Sequence, residues 1–169
     1  MNWPWKQVLK VNIPMKVSFF VWLVIRKACL TQDKLQRRAL QICSKCFLYE
    51  QEGENNEQLF LHCRTTLNLR HMFFCILGIT WVIPGSTLVL LNNWWSIGNR
   101  GGEADCWKII PACICWTVWN ERNGRHFEGT SSFIEKIRMN CLSLFFSGVD
   151  RICGGSRRPS ILNWKYIIL

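Results

Sequence analysis

The sequence predicts a mainly α fold, a small helical domain leading into a helical bundle. Three observations carry this. Apolar residues recur at helical spacing through several long segments, start and stop signals flank those segments, and strand signals are weak, confined to 80–83 and 161–168. Residues 17–27 read as a mostly buried helix, apolar through residue 25 except for Ser18. Thr31 is an N-cap with Asp33 in the first turn of a helix running to about residue 40. On that helix Lys34, Arg37 and Arg38 fall on one side, at i, i+3 and i+4. A polar loop over 50–56 precedes a segment of helical apolar spacing at 57–77, which Gly78 should stop. Two more helices are expected at 86–95 and 104–120; the second contains Pro111, which should start or kink it. Ser132-Phe133-Ile134-Glu135 is a capping-box pattern, after which Phe133, Ile137, Cys141, Leu144 and Phe145 share a helix face. The expected organisation is a basic helical region at 1–80, an apolar helical region at 81–153 packed on it as one domain, and a tail at 154–169.

Composition narrows the chemistry. With 169 residues, 49% of them hydrophobic, the chain is long enough to bury a core and is not disordered by composition. Its three aspartates, Asp33, Asp105 and Asp150, lie too far apart in sequence for a local acidic pair. A two-metal nuclease or polymerase centre would need acids gathered from distant segments. His62, His71 and His126 have no neighbouring nucleophile, so no catalytic residue is assigned and no enzyme or small-molecule substrate is expected. The apolar run at 17–25 is too short for a bilayer, which needs about 20 residues, and Arg26-Lys27 stands where a signal cleavage site needs small residues. Pro84-Gly85-Ser86-Thr87 and Asn92-Asn93 interrupt the uncharged stretch at 71–99, so no membrane association is expected. Most of the ten cysteines sit in apolar runs such as Ala112-Cys113-Ile114-Cys115-Trp116. There cysteine acts as a small buried hydrophobe, and a disulfide framework is not expected.

The net charge of +10 is laid out in blocks. Residues 1–45 carry nine bases and one acid, 46–63 carry four acids and no base, and 64–169 carry twelve bases and six acids. The first block is interleaved with Trp3, Trp5, Phe19, Phe20 and Trp22. Cations beside aromatic rings suit nucleic acid, phosphates meeting the cations and bases stacking on the rings. Lys6, Lys10, Lys16, Lys34, Arg37 and Arg38 are the candidate contacts. The competing explanation is a core of aromatics with solvated cations around it.

The four acids lie between two potential metal-binding pairs. Cys43-Ser44-Lys45-Cys46 is a C-x-x-C, and His62-Cys63 begins sixteen residues after Cys46. Two thiolates on one tight turn form half a zinc site, and a second pair closes the tetrahedron. Adjacent residues on a helix point about 100° apart, so His62 and Cys63 could share one ion only if the backbone turns there. Cys43, Cys46, His62 and Cys63 are the candidate zinc ligands of a zinc-knuckle-like loop.

Several segments together resemble the zinc-binding domain that follows the reverse transcriptase in plant non-LTR (LINE-type) retrotransposons. They are Trp5-Lys6, Ile13 through Trp22, Leu30-Thr31 with Leu35 and Arg38, and Leu59-Phe60-Leu61-His62-Cys63. The C-terminal signature is Pro111, Ile114, Trp116, Trp119-Asn120-Glu121-Arg122-Asn123, Arg125 and Phe127-Glu128. The resemblance implies a metal pattern of C-x-x-C, an acidic stretch and H-L-F-x-x-C. Carried over, its ligands fall on Cys46, Tyr49, Gln58 and Cys63, so two of the four are replaced by poor zinc ligands. Either Cys43, Cys46 and Cys63, with His62, form a substitute site, or the site is dead.

The resemblance implies a non-enzymatic, retroelement-derived domain with nucleic acid as partner. An intracellular, nuclear setting fits that life cycle, although Arg157-Arg158 alone is no localisation signal. The Asn120-Glu121-Arg122-Asn123 motif is expected to cap its helix and tie it to the basic segment. Two alternatives remain: a protein-interaction module using a Trp-rich face (Trp94, Trp95, Trp107, Trp116, Trp119), and a decayed element fragment with no function of its own.

Overall fold

The computed structural model describes residues 13–40, 45–51, 53–97 and 104–153. Six α-helices can be followed there: α1 (Met15–Ile25), α2 (Gln32–Gln36), α3 (Arg64–Leu77), α4 (Thr87–Ile97), α5 (Ala104–Asn123) and α6 (Ile134–Cys153). Wide turns of the π type at Gln58–His62 and Gly124–Glu128 precede α3 and follow α5. No strand forms among the described residues; an isolated antiparallel bridge joins Lys45 to Gly53. The mainly α expectation holds, 80–83 is not a strand, and 161–168 lies outside the described residues. No helix is long and apolar enough to cross a membrane among the described residues.

The central helix α5 packs against α1, α3, α4 and α6. Val17, Phe20, Val21 and Val24 bury one face of α1, where the Phe20 ring meets Trp116 at 5.5 Å and Trp119 at 5.4 Å. From α6 come Ile137, Cys141 and Phe145, with Phe145 edge-on to Phe73 of α3 at 5.2 Å. Phe133, expected on that buried face, precedes the helix and is 84% exposed. The capping box also differs, because the Ser132 N–H donates to Glu121 Oε1 at 2.8 Å.

Helix α5 runs through Pro111 instead of starting there. Proline has no N–H, so the Trp107 carbonyl four residues earlier lacks its helical donor. The Trp94 indole N–H donates to that carbonyl at 3.0 Å, and the Trp107 indole N–H donates to the Trp94 carbonyl, in the last turn of α4, at 2.9 Å. The two rings stack with centroids 4.2 Å apart, and Trp81 and Phe74 extend the stack. Trp94 and Trp107 are therefore core, not an exposed face, while Trp116 and Trp119 are half-buried and the Trp95 side chain lies outside the described residues.

The segment at 57–77 is broken at Cys63, whose ψ of 133° turns the backbone between the π-type turn and α3. Side chains of α3 take up carbonyls of that turn. Thr66 Oγ1 donates to Leu59 O at 2.7 Å, and the Arg70 guanidinium donates to Phe60 O at 3.0 Å and Leu61 O at 3.3 Å. Burial draws Arg70 down to about 10. Gly78 ends α3 in the left-handed region, as its position in the sequence implies.

Candidate metal centre and nucleic-acid face

Two of the four candidate zinc ligands meet. The Cys46 and Cys63 sulfurs lie 3.9 Å apart, both fully buried. Zn–S bonds of about 2.3 Å would place two sulfurs of a tetrahedron about 3.8 Å apart, so this is the spacing of half a zinc site. The mutual hydrogen bond is the main influence on both thiols, drawing Cys46 down to about 6 and pushing Cys63 up. Backbone N–H groups of Leu48 and Tyr49 also favour the Cys46 thiolate, and those of Thr65 and Thr66, at the start of α3, lower Cys63.

Among the described residues the other half does not assemble. His62 is exposed whereas adjacent Cys63 is buried, and Cys43 lies outside the described residues. At the two family ligand positions, the Tyr49 hydroxyl accepts a hydrogen bond from Arg64 Nη1 at 3.5 Å, and the Arg64 guanidinium sits 5.6 Å from the Tyr49 ring centroid. A fixed cation beside a would-be ligand opposes a divalent ion. Gln58 supplies a buried neutral amide whose oxygen has no hydrogen-bond partner. Among the described residues no group of three or more His, Cys, Asp or Glu could hold a metal. The donors among the described residues do not complete a zinc site.

A network of arginines holds the same loop. Arg122 of α5 pairs with Glu54 through Nη2–Oε1 at 2.8 Å and Nε–Oε1 at 3.0 Å, with side chains 1% and 0% exposed. Glu54 Oε1 also accepts the Gln32 N–H at the start of α2. Arg122 further donates to Leu30 O at 3.4 Å and to Asn123 Oδ1 at 3.0 Å, and its guanidinium packs on Phe47 and Trp119. Arg125 Nη1 reaches Phe47 O at 3.4 Å and Leu48 O at 3.3 Å, while Glu121 positions Arg125 Nε at 2.9 Å. The Asn120–Asn123 motif thus ties α5 to the acidic loop through Glu54 and to the basic segment through Leu30. Opposite charges at Glu54 and Arg122 were the available signal, but their separation of 68 residues hid the pairing.

The candidate nucleic-acid residues divide. Lys6 and Lys10 lie outside the described residues. Lys34 belongs to α2, but α2 ends at Gln36, so Arg37 closes it and Arg38 lies in the following turn, not on a helical stripe. Lys16 is exposed at the start of α1 with Nζ 5.5 Å from the Trp116 ring centroid. Sequence reasoning placed Phe19 among the aromatics, and the structure brings it to the surface. Met15 is 77% and Phe19 55% exposed, Trp22 stacks on Phe19 at 5.5 Å, and the Arg26 guanidinium lies 5.3 Å from the Trp22 ring centroid.

Residues 1–69 match the family described as zinc-binding in reverse transcriptase. A curated Arabidopsis thaliana protein named as a ribonuclease H protein is 25% identical over 139 residues, covering 76% of this chain and 21% of that protein. These matches point to a retrotransposon-derived zinc-binding domain. The matched family is an accessory domain, not the catalytic part of a reverse transcriptase. The chain spans about a fifth of the length of the curated relative. No solved structure matches the chain.

The remaining cysteines among the described residues are mostly core, as expected. Burial pushes Cys29, Cys115 and Cys141 up to about 12 and raises Cys113 well above the ordinary thiol range. Cys75 is the correction: it is exposed on α3, with Sγ 3.6 Å from His71 Nδ1. The Cys153 side chain lies outside the described residues.

Proposed function

We infer that this chain is a non-enzymatic, nucleic-acid-contacting domain derived from a LINE-type element, with a partly lost zinc site. The observation that carries the reading is the outer face of α1. Met15, Phe19, Trp22 and Arg26 recur at i, i+4, i+7 and i+11, forming one stripe with a stacked aromatic pair and a guanidinium over it. Lys16 and Lys27 flank it. Large apolar rings held at the surface beside cations are suited to stacking bases while phosphates meet the cations. The match to an accessory domain supports the absence of catalysis in this chain.

The test is binding of single-stranded RNA and DNA, followed by fluorescence anisotropy, for the native chain and for Phe19→Ala and Trp22→Ala. Loss of one stacking ring should cost roughly 1–3 kcal/mol, a several-fold to hundredfold weakening, with an unchanged far-ultraviolet circular dichroism spectrum. Unchanged affinity in both variants would remove the α1 face from the account. The Trp-rich interaction face is not favoured, because Trp94 and Trp107 are closed inside the core.

A further inference from the structure

We propose that an arginine clamp from α5 and the turn that follows it, not a metal ion, fixes the knuckle loop of this chain. The proposal rests on the partly lost zinc site in the reading above and is independent of nucleic-acid contact. In a zinc knuckle the ion cross-links a thiol-bearing turn to a second pair of ligands farther along the chain, and in small domains that cross-link supplies folding free energy. Here Cys46 and Cys63 remain at a suitable spacing, but the residues at the other two positions do not complete a donor set.

Cross-links from outside the loop replace that function at successive points. Arg125 holds the turn after Cys46 through the Phe47 and Leu48 carbonyls. Arg64 holds Tyr49 through its hydroxyl and ring. Arg122 holds Glu54 through a buried, forked ion pair and links it to Leu30 ahead of α2. Glu57 is held by Lys27 Nζ at 2.8 Å and by the Thr87 N–H at 2.7 Å. Two acids of the loop are therefore structural partners of cations, not a solvated acidic surface. The Cys46–Cys63 thiol pair closes the loop from inside, with no third ligand among the described residues.

The test uses the full chain. Zinc content is measured, thermal melting is followed with and without a strong chelator, and limited proteolysis reads protection of residues 45–63. The expected result is sub-stoichiometric zinc, a midpoint unmoved by chelator and a protected loop. Arg122→Met should expose the loop to cleavage while α6 stays protected. Should Arg122→Met fail to fold, Arg125→Gln, which removes the Phe47 and Leu48 contacts and the Glu121 and Ser132 ones but leaves the Arg122–Glu54 pair, should still raise loop cleavage several-fold. Stoichiometric zinc with a midpoint that falls on chelation would overturn both the proposal and the lost-site reading. Absence of zinc with an equally protected loop in Arg122→Met, or in Arg125→Gln where the former does not fold, would overturn the clamp alone.

Discussion

Replacing Arg122 with methionine keeps much of the side-chain length and removes the guanidinium. Glu54 would then keep the Gln32 N–H at 3.2 Å and lose Arg122 contacts at 2.8, 3.0 and 3.3 Å. Because the Glu54 side chain is 0% exposed, water cannot replace them without opening the loop. Removing one partner of such a buried pair costs about 3–5 kcal/mol, a large part of the roughly 5–15 kcal/mol that stabilises a typical domain. At roughly 2–4 °C per kcal/mol for a chain of this size, the midpoint should fall by about 10 °C. Glu54→Gln leaves the guanidinium buried without its counter-charge and should also be costly. The double variant has no uncompensated charge, so it should be milder than the sum, with a coupling of roughly 2–3 kcal/mol. Urea unfolding, followed by circular dichroism and by the summed tryptophan fluorescence, measures the cycle. Strict additivity, or an Arg122→Met cost under about 1 kcal/mol, would refute the clamp as an energetic unit.

Three further outcomes follow from other parts of the fold. Trp94→Phe removes the donor to the Trp107 carbonyl and should cost about 1–3 kcal/mol; Pro111→Ala supplies a backbone N–H there, so denaturation should show a smaller cost in that background. Burial raises the Glu57 carboxyl, but Lys27 and Thr87 outweigh it and hold the group below its ordinary 4.5. Just below pH 4.5 the unfolded chain takes up this proton first, so stability should decline as pH falls, and Glu57→Gln should flatten that part of the pH–stability curve. Alkylation of the native chain, read by mass spectrometry, should label exposed Cys75 ahead of Cys113, Cys115 and Cys141.

Helix periodicity and end signals made the fold class legible, because each is local. Gly78 announced the end of α3 and Thr31 the start of α2. The break at Cys63 was hidden because Leu59, Phe60 and Leu61 are buried by a π-type turn, which fits the apolar spacing of a helix; Thr66 and Arg70 stabilise it from the following turns. The continuation of α5 through Pro111 depends on a donor from another helix, Trp94, which no local pattern reveals. At the candidate site, spacing named Cys46 and Cys63 among four candidates, the family resemblance singled them out, and the structure brings these two together. The roles of Arg122 and Arg125 were not legible, since a charge does not name its partner across 68 or 78 residues.

The most direct test of the functional account is salt-titrated binding of single-stranded RNA to the full chain. The account predicts association at about 50 mM salt that weakens linearly in a log–log plot, with a slope of roughly −2 to −3 if three or four cations meet phosphates. No association at that salt, or binding indifferent to salt, would contradict it.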